Sequence, residues 1–166
     1  MKFFNLHTHQ YSNQEGVLEL VNQYPQEFDA TIPNYSIGIH PWHIVEDRID
    51  SDLEIIESKL EDEKCLAVGE CGLDRWIKDY DIKTQHGIFE TQLEIAAERN
   101  LPLSIHCLKA WGLMIEILKS KPRPERGFLL HSYSGPAELV PRLTILGAYF
   151  SFSGYFLHDH KKSIRD

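Results

Sequence analysis

The 166-residue sequence has no apolar run approaching the ~18–20 residues of a membrane span, so a membrane-embedded protein is not expected. Its opening stretch, MKFFNLHTHQ, lacks the long apolar core of an export signal, and a cytoplasmic location is expected. Cys65, Cys71 and Cys107 form no CxxC pair. An odd, scattered set disfavours a disulfide framework or a structural zinc site and suits a reducing compartment. A basic excess is missing too: 17 Lys+Arg stand against 25 Asp+Glu, a formal charge of −8. Wrapping a long duplex requires a basic face, whereas one phosphate or a strand end requires only a few local cations. No low-complexity stretch or composition break divides the chain, so a single domain over residues 1–166 is expected. With 42% hydrophobic and 25% charged residues, disorder is excluded on composition.

What recurs is a short apolar run that stops at a polar residue able to bind metal. Five such runs end at His7, His40, Glu70, His106 and His131. Residues 148–152 form a sixth without a ligand, and residues 17–21 a weaker seventh. Each has the length of a buried strand rather than a helix. Helical patterns lie between them. Ser51-Asp52-Leu53-Glu54 reads as a capping box opening a helix with Leu53, Ile56 and Leu60 on one face. Phe89, Leu93, Ala96 and Ala97 mark a second helix, closed by Asn100 and Pro102. Leu113, Met114, Ile117 and Leu118 mark a third. Leu139, Val140, Leu143 and Leu146 mark a fourth, with Pro136 in its first turn and Gly147 as its cap. Pro141, inside that segment, is expected to kink or shorten it.

Alternating strands and helices with short connections give a parallel sheet. An open doubly wound sheet places its site at one switch point, served by one or two strands. Five ligand-bearing strands spread along the chain instead converge only around a closed axis, which predicts a (β/α)8 TIM-type barrel. Such barrels run to about 250 residues and rarely fall below 200. The expected fold is therefore an α/β barrel that is incomplete, about seven strands with the last one missing.

His7 and His9 lie two apart on a strand, so both side chains leave one face, roughly 6.5–7 Å apart at Cα. An isolated HxH is more often a surface or core pair than a metal site, and it gains weight here from its place at the end of an apolar run. A carboxylate at Glu70 is costly to bury unless paired or coordinated, and a salt bridge to Lys109 or Arg75 would also satisfy it. His106 and His131 could each be a hydrogen-bonded core histidine. Taken together, four histidines and one glutamate suit Zn²⁺ or Mn²⁺, and Mg²⁺ less well. One carboxylate with two histidine pairs suggests two divalent ions about 3.5–4 Å apart, bridged by Glu70.

His7-Thr8-His9, Gly38-Ile39-His40-Pro41-Trp42, Val68-Gly69-Glu70-Cys71-Gly72-Leu73-Asp74, Pro102-Leu103-Ser104-Ile105-His106 and Leu130-His131-Ser132-Tyr133-Ser134-Gly135 occur in that order. Over residues 3–154 the chain resembles the TatD family of metal-dependent deoxyribonucleases, amidohydrolase-like barrels. The resemblance implies that His7 and His9 hold a first ion, that Glu70 bridges, and that His106 with His131 holds a second. It implies that His40 lines the site near the scissile phosphate and that Lys109 contacts a phosphate. Trp111 could stack on a base or simply pack against Met114. Two departures stand out. The segment between His9 and Tyr35 is short, so the first crossover helix is expected to be missing or rudimentary. The family's final strand ends in an Asp, usually inside an ETD motif, and no such motif occurs. Residues 161–166 instead read as the start of the helix leading to that strand, which suggests a truncated or incompletely represented protein.

The expected function is metal-dependent cleavage of phosphodiester bonds, as in an exonuclease-like deoxyribonuclease. Glu70 and His40 are its predicted catalytic residues, and single-stranded or end-containing DNA is its substrate. Basic residues Lys119, Lys121, Arg123 and Arg126 could assist or could form a solvated helix exit. The alternatives are hydrolysis of a small ester, lactone or cyclic amide, or a catalytically weak metal-binding barrel with an exposed sheet edge. Oligomeric state is not encoded in any of these patterns.

Overall fold

A computed structural model describes residues 3–78 and 81–154. Seven strands are present: β1 (Phe3–Thr8), β2 (Val17–Gln23), β3 (Tyr35–Ile37), β4 (Cys65–Asp74), β5 (Leu103–Leu108), β6 (Phe128–Leu130) and β7 (Ala148–Phe150). Each pairs in parallel with its sequence neighbour, and the order β1 to β7 never reverses. Four α-helices accompany them: α1 (Ile49–Lys59), α2 (Ile82–Glu98), α3 (Trp111–Ser120) and α4 (Val140–Ile145). The start of a helix read from residues 161–166 lies outside the described residues.

A sheet in this order could lie flat or curl. Laid flat, β1 and β5 would stand four strand spacings apart, roughly 19 Å. Instead His7 Nδ1 on β1 lies 2.8 Å from Ser104 Oγ on β5, and the His7 ring stacks on His131, just past β6, at 3.4 Å between centroids. The sheet is therefore curled into a half-barrel with helices outside, the α/β barrel-type architecture expected from the ligand series. Ile37, Val68, Ile105 and Leu130 on the strands and Phe89, Leu93, Met114 and Leu118 on the helices are fully buried together.

Several local readings shift. β3 ends at Ile37, so His40 lies beyond the strand, capping a 3-10 turn over Pro41–His43. β4 runs on through Glu70 to Asp74, with a bulge between Gly69 and Cys71 that re-aims the strand. α1 begins at Ile49, so Ser51 is inside the helix. Its hydroxyl donates to the Arg48 carbonyl at 3.0 Å instead of capping. The Asp52 carboxylate, far from being a free first-turn charge, is buried and accepts a bond from Gln26. Pro141 divides its segment as expected. A 3-10 turn (Ala137–Leu139) precedes the short α4, whose first turn holds Pro141 at a position with no N–H partner to lose. No α-helix lies between β1 and β3, only a 3-10 turn at Pro25–Glu27, as the short segment predicts. Phe3 and Phe4 on β1 accordingly stay 61% and 55% exposed.

Two features lock the strand ends. Gly38 and Gly69 touch, so a Cβ at Gly38 would meet Gly69 Cα at 2.7 Å. At Gly69, φ is +131° and a Cβ would strike the Ser104 carbonyl oxygen at 2.4 Å, so only glycine fits. The second lock comes from the inner face of α2. Gln92 Oε1 accepts from the Ile39 amide at 2.7 Å while its Nε2 donates to the Ile39 carbonyl at 3.2 Å. Gln85 treats Asp74 the same way, at 2.7 and 2.9 Å.

Candidate metal centre

The carboxylate of Glu70 is 2% exposed and faces imidazoles from four directions. Oε2 lies 3.5 Å from His7 Nε2 and 3.8 Å from His9 Nε2. Oε1 lies 3.5 Å from both His40 Nε2 and His106 Nδ1. Neither Lys109 nor Arg75 is its partner. Lys109 Nζ sits 4.6 Å over the Trp76 ring instead. Among the described residues two donor sets lie within 4.8 Å of one another: His7, Glu70 and His131, and His40, Glu70 and His106. The expected His9 stands outside both sets, with its side chain 54% exposed, its Nε2 3.4 Å from His7 Nε2 and its Nδ1 3.4 Å from the Tyr24 hydroxyl.

Hydrogen bonds to the far nitrogens decide which atoms can offer lone pairs. The Trp42 backbone N–H donates to His40 Nδ1 at 3.0 Å. Burial pushes the His40 imidazole below its usual range, so it is neutral and its single proton sits on Nε2, facing Glu70. His40 is thereby a donor to the carboxylate. His106 is wired the other way round. Its Nε2 lies 3.0 Å from Asp74 Oδ2, to which an N–H can donate, and its Nδ1 faces Glu70 Oε1 at 3.5 Å. Burial pulls His106 down, but the Glu70 and Asp74 carboxylates outweigh it and the net shift is upward. Burial takes His7 down to about 3, and His131 is lowered for the same reason, so both stay neutral as ligand imidazoles must. Burial pushes the Glu70 carboxyl up, yet the surrounding histidines, with hydrogen bonds from His106 and His40 foremost, prevail and hold it well below the usual carboxylate range. An ionised carboxylate among imidazoles, with nitrogen and oxygen donors converging, fits divalent ions.

Asp74 and Ser104 were not singled out by the sequence, although both lie inside quoted motifs. Asp74 is fully buried, and its Oδ2 also accepts the Trp42 indole N–H at 2.7 Å. It orients His106 in the manner of a carboxylate behind a metal-ligating histidine. Exchanging Asp74 for Asn keeps the shape but removes the charge behind His106. Mn²⁺ titrations should show affinity lowered by about 10–100-fold; unchanged affinity would remove Asp74 from this role. The basic group at Lys119 to Arg126 does not reach the centre. Lys121 pairs with Glu90 and Glu94, and the Arg123 guanidinium is spent on the carbonyls of Leu118, Lys121 and Leu146, before β6 rather than after it. Trp111 is packed edge-to-face on Tyr133 at 4.7 Å between centroids, the packing alternative rather than the stacking one.

A curled parallel sheet whose strand ends gather imidazoles around one carboxylate is the disposition of an α/β barrel-type protein with a candidate metal centre. The family model for TatD related DNase matches residues 1–166. The chain belongs to that family. It is 32% identical over 149 residues to a Haemophilus influenzae protein named as an uncharacterized metal-dependent hydrolase, covering 84% of this chain and 56% of that one. It is 28% identical over 145 residues to the Edwardsiella piscicida 3'-5' ssDNA/RNA exonuclease TatD, covering 87% and 53%. The chain thus spans about half the length of the curated relatives it matches. The crystal structure of YjjV, a TatD homologue from Escherichia coli, superposes with a TM-score of 0.81 at 24% identity, covering 95% of this chain and 70% of that one. At that identity the likeness speaks for the fold. Among the described residues no helix is long and apolar enough to cross a membrane.

Proposed function

We propose that this chain carries the centre of a metal-dependent phosphodiesterase that trims single-stranded DNA from an end. The observation that carries the reading is Glu70: one buried, ionised carboxylate with each oxygen turned to a different group of histidines. That is the disposition of a bridging ligand. In this reading His7 and His9 serve the Oε2 side, and His106, through Nδ1, the Oε1 side. His131, stacked on His7, closes the ring of donors. Divalent ions held there, Mn²⁺ or Zn²⁺ in preference to Mg²⁺ on donor chemistry, would supply positive charge to the phosphoryl oxygens and make water a stronger acid.

The chain's own groups do the rest. His40 holds its Nε2 proton against Glu70 Oε1 and so keeps the carboxylate oriented. His7 is fixed by Ser104 through Nδ1, which leaves Nε2 facing Glu70. Lys109, exposed at the end of β5, can reach a phosphate. Relatives named 3'-5' ssDNA/RNA exonuclease TatD support the choice of substrate. Three free, buried thiols suit a reducing, cytoplasmic setting. Incubation of 5'-labelled single-stranded DNA with the protein and Mn²⁺ should give progressive shortening that stops on chelation. Intact strands in the presence of protein-bound Mn²⁺ would refute the reading.

A further inference from the structure

Trp42 and Trp76 are 61% and 65% exposed, and the Trp42 ring lies 6.0 Å from that of His106 in the centre. Two exposed indoles on residues gathered by one buried carboxylate, unlike a single exposed side chain, call for an explanation. Both are pinned to one carboxylate. Asp74 Oδ2 accepts the Trp42 indole N–H at 2.7 Å, and Asp74 Oδ1 accepts the Trp76 backbone N–H at 2.7 Å. The same Oδ2 meets His106 Nε2 at 3.0 Å, so the carboxylate that holds both tryptophans also holds a side chain of the metal centre. Trp42 is held edge-on to His40, with ring centroids 5.3 Å apart at 88°. Cations collect beside them. Lys109 Nζ covers the Trp76 ring at 4.6 Å, and Arg75 and Lys78 are exposed on either side of Trp76 along the chain. In a chain of formal charge −8 these three cations stand around the Asp74 carboxylate that holds both tryptophans.

Resting on the nuclease reading above, we propose that Trp42 and Trp76 form a stacking platform for the bases of a single-stranded nucleic acid. Arg75, Lys78 and Lys109 meet its phosphates. Exposed ring faces interleaved with cations match a polyanion built of flat units, because every base offers a π-face and stacking tolerates any sequence. An acidic peptide would use the cations and leave the ring faces idle. A platform beside the ions also favours unpaired strands, since duplex bases are already stacked on one another.

The test compares a fluorescein-labelled thymidine decamer with a decamer of equal length and charge built from abasic residues. Binding is read by anisotropy with and without Mn²⁺, over times short against turnover. The wild-type chain should prefer the base-bearing strand by about tenfold or more. Trp76→Ala should weaken binding of that strand by roughly 5–100-fold and leave the abasic strand unchanged, while Trp76→Phe should restore most of the affinity. Equal binding of both strands by the wild-type chain overturns the proposal, and so does a Trp76→Ala variant that binds like wild type. Should Trp76→Ala not fold, the wild-type comparison of the two strands decides alone. A strand that binds through its bases and is never shortened would keep the platform and remove the nuclease reading; shortening with no dependence on bases would do the reverse.

Discussion

Replacing Glu70 by Gln should lower metal-dependent turnover by at least about a thousandfold, about 4 kcal/mol of transition-state stabilisation. The amide has the volume of the carboxylate, so packing survives. Its oxygen can still accept the proton on His40 Nε2, and its N–H₂ then turns toward the lone pair on His7 Nε2. What disappears is the second anionic oxygen, and with it the capacity to serve two donor groups at once. The unfolding midpoint should move by only a few degrees, because the imidazoles around position 70 are neutral or hydrogen-bonded elsewhere. Initial rates on single-stranded DNA at saturating Mn²⁺, paired with a thermal melt, separate the two effects. A variant within tenfold of the wild-type rate would take the bridging role away from Glu70.

The second large effect concerns stability. Phe89→Ala should lower the free energy of unfolding by about 3–5 kcal/mol, a large share of the ~5–15 kcal/mol available to a domain of this kind. Phe89 is fully buried on the inner face of α2, between Gln85 and Gln92, and packs into the core behind the strands. Truncation leaves a hole that rigid neighbours cannot close. Urea unfolding should show a lower midpoint with an unchanged slope, and a loss below about 1 kcal/mol would mean that the helix repacks around the gap.

Much of this architecture was legible because the signal is local. A short apolar run that stops on a metal-capable side chain marks both a strand and a candidate ligand, and this is why His7, His106 and His131 could be placed at one mouth across some 125 positions, although β1 itself is largely exposed. Glu70 was found for the same reason, although β4 continues past it. What stayed hidden depends on partners distant in sequence. Ser104 reads as filler in an apolar run until β1 curls round to it. Asp74 belongs to a conspicuous motif, but its task is set by His106, 32 residues later. His40 turns Nε2 to Glu70 because the Trp42 N–H occupies its other nitrogen, a contact that the apolar run before it does not announce. Gln85 and Gln92 were overlooked because an apolar stripe treats polar residues as gaps, and here the gaps face the site loops. The capping pattern at Ser51 failed because a preceding 3-10 turn, Glu46–Arg48, had already started the helix.

The two glutamines of α2 carry a mechanical implication. Seven residues of helix hold them roughly 10 Å apart on a rod that hardly stretches. One amide grips the backbone beside His40 and the other the backbone of Asp74. Thermal motion can tilt or slide that rod, but the two loops must then travel as one piece. The helix works as a calliper whose jaws keep the mouth around Glu70 at constant gape.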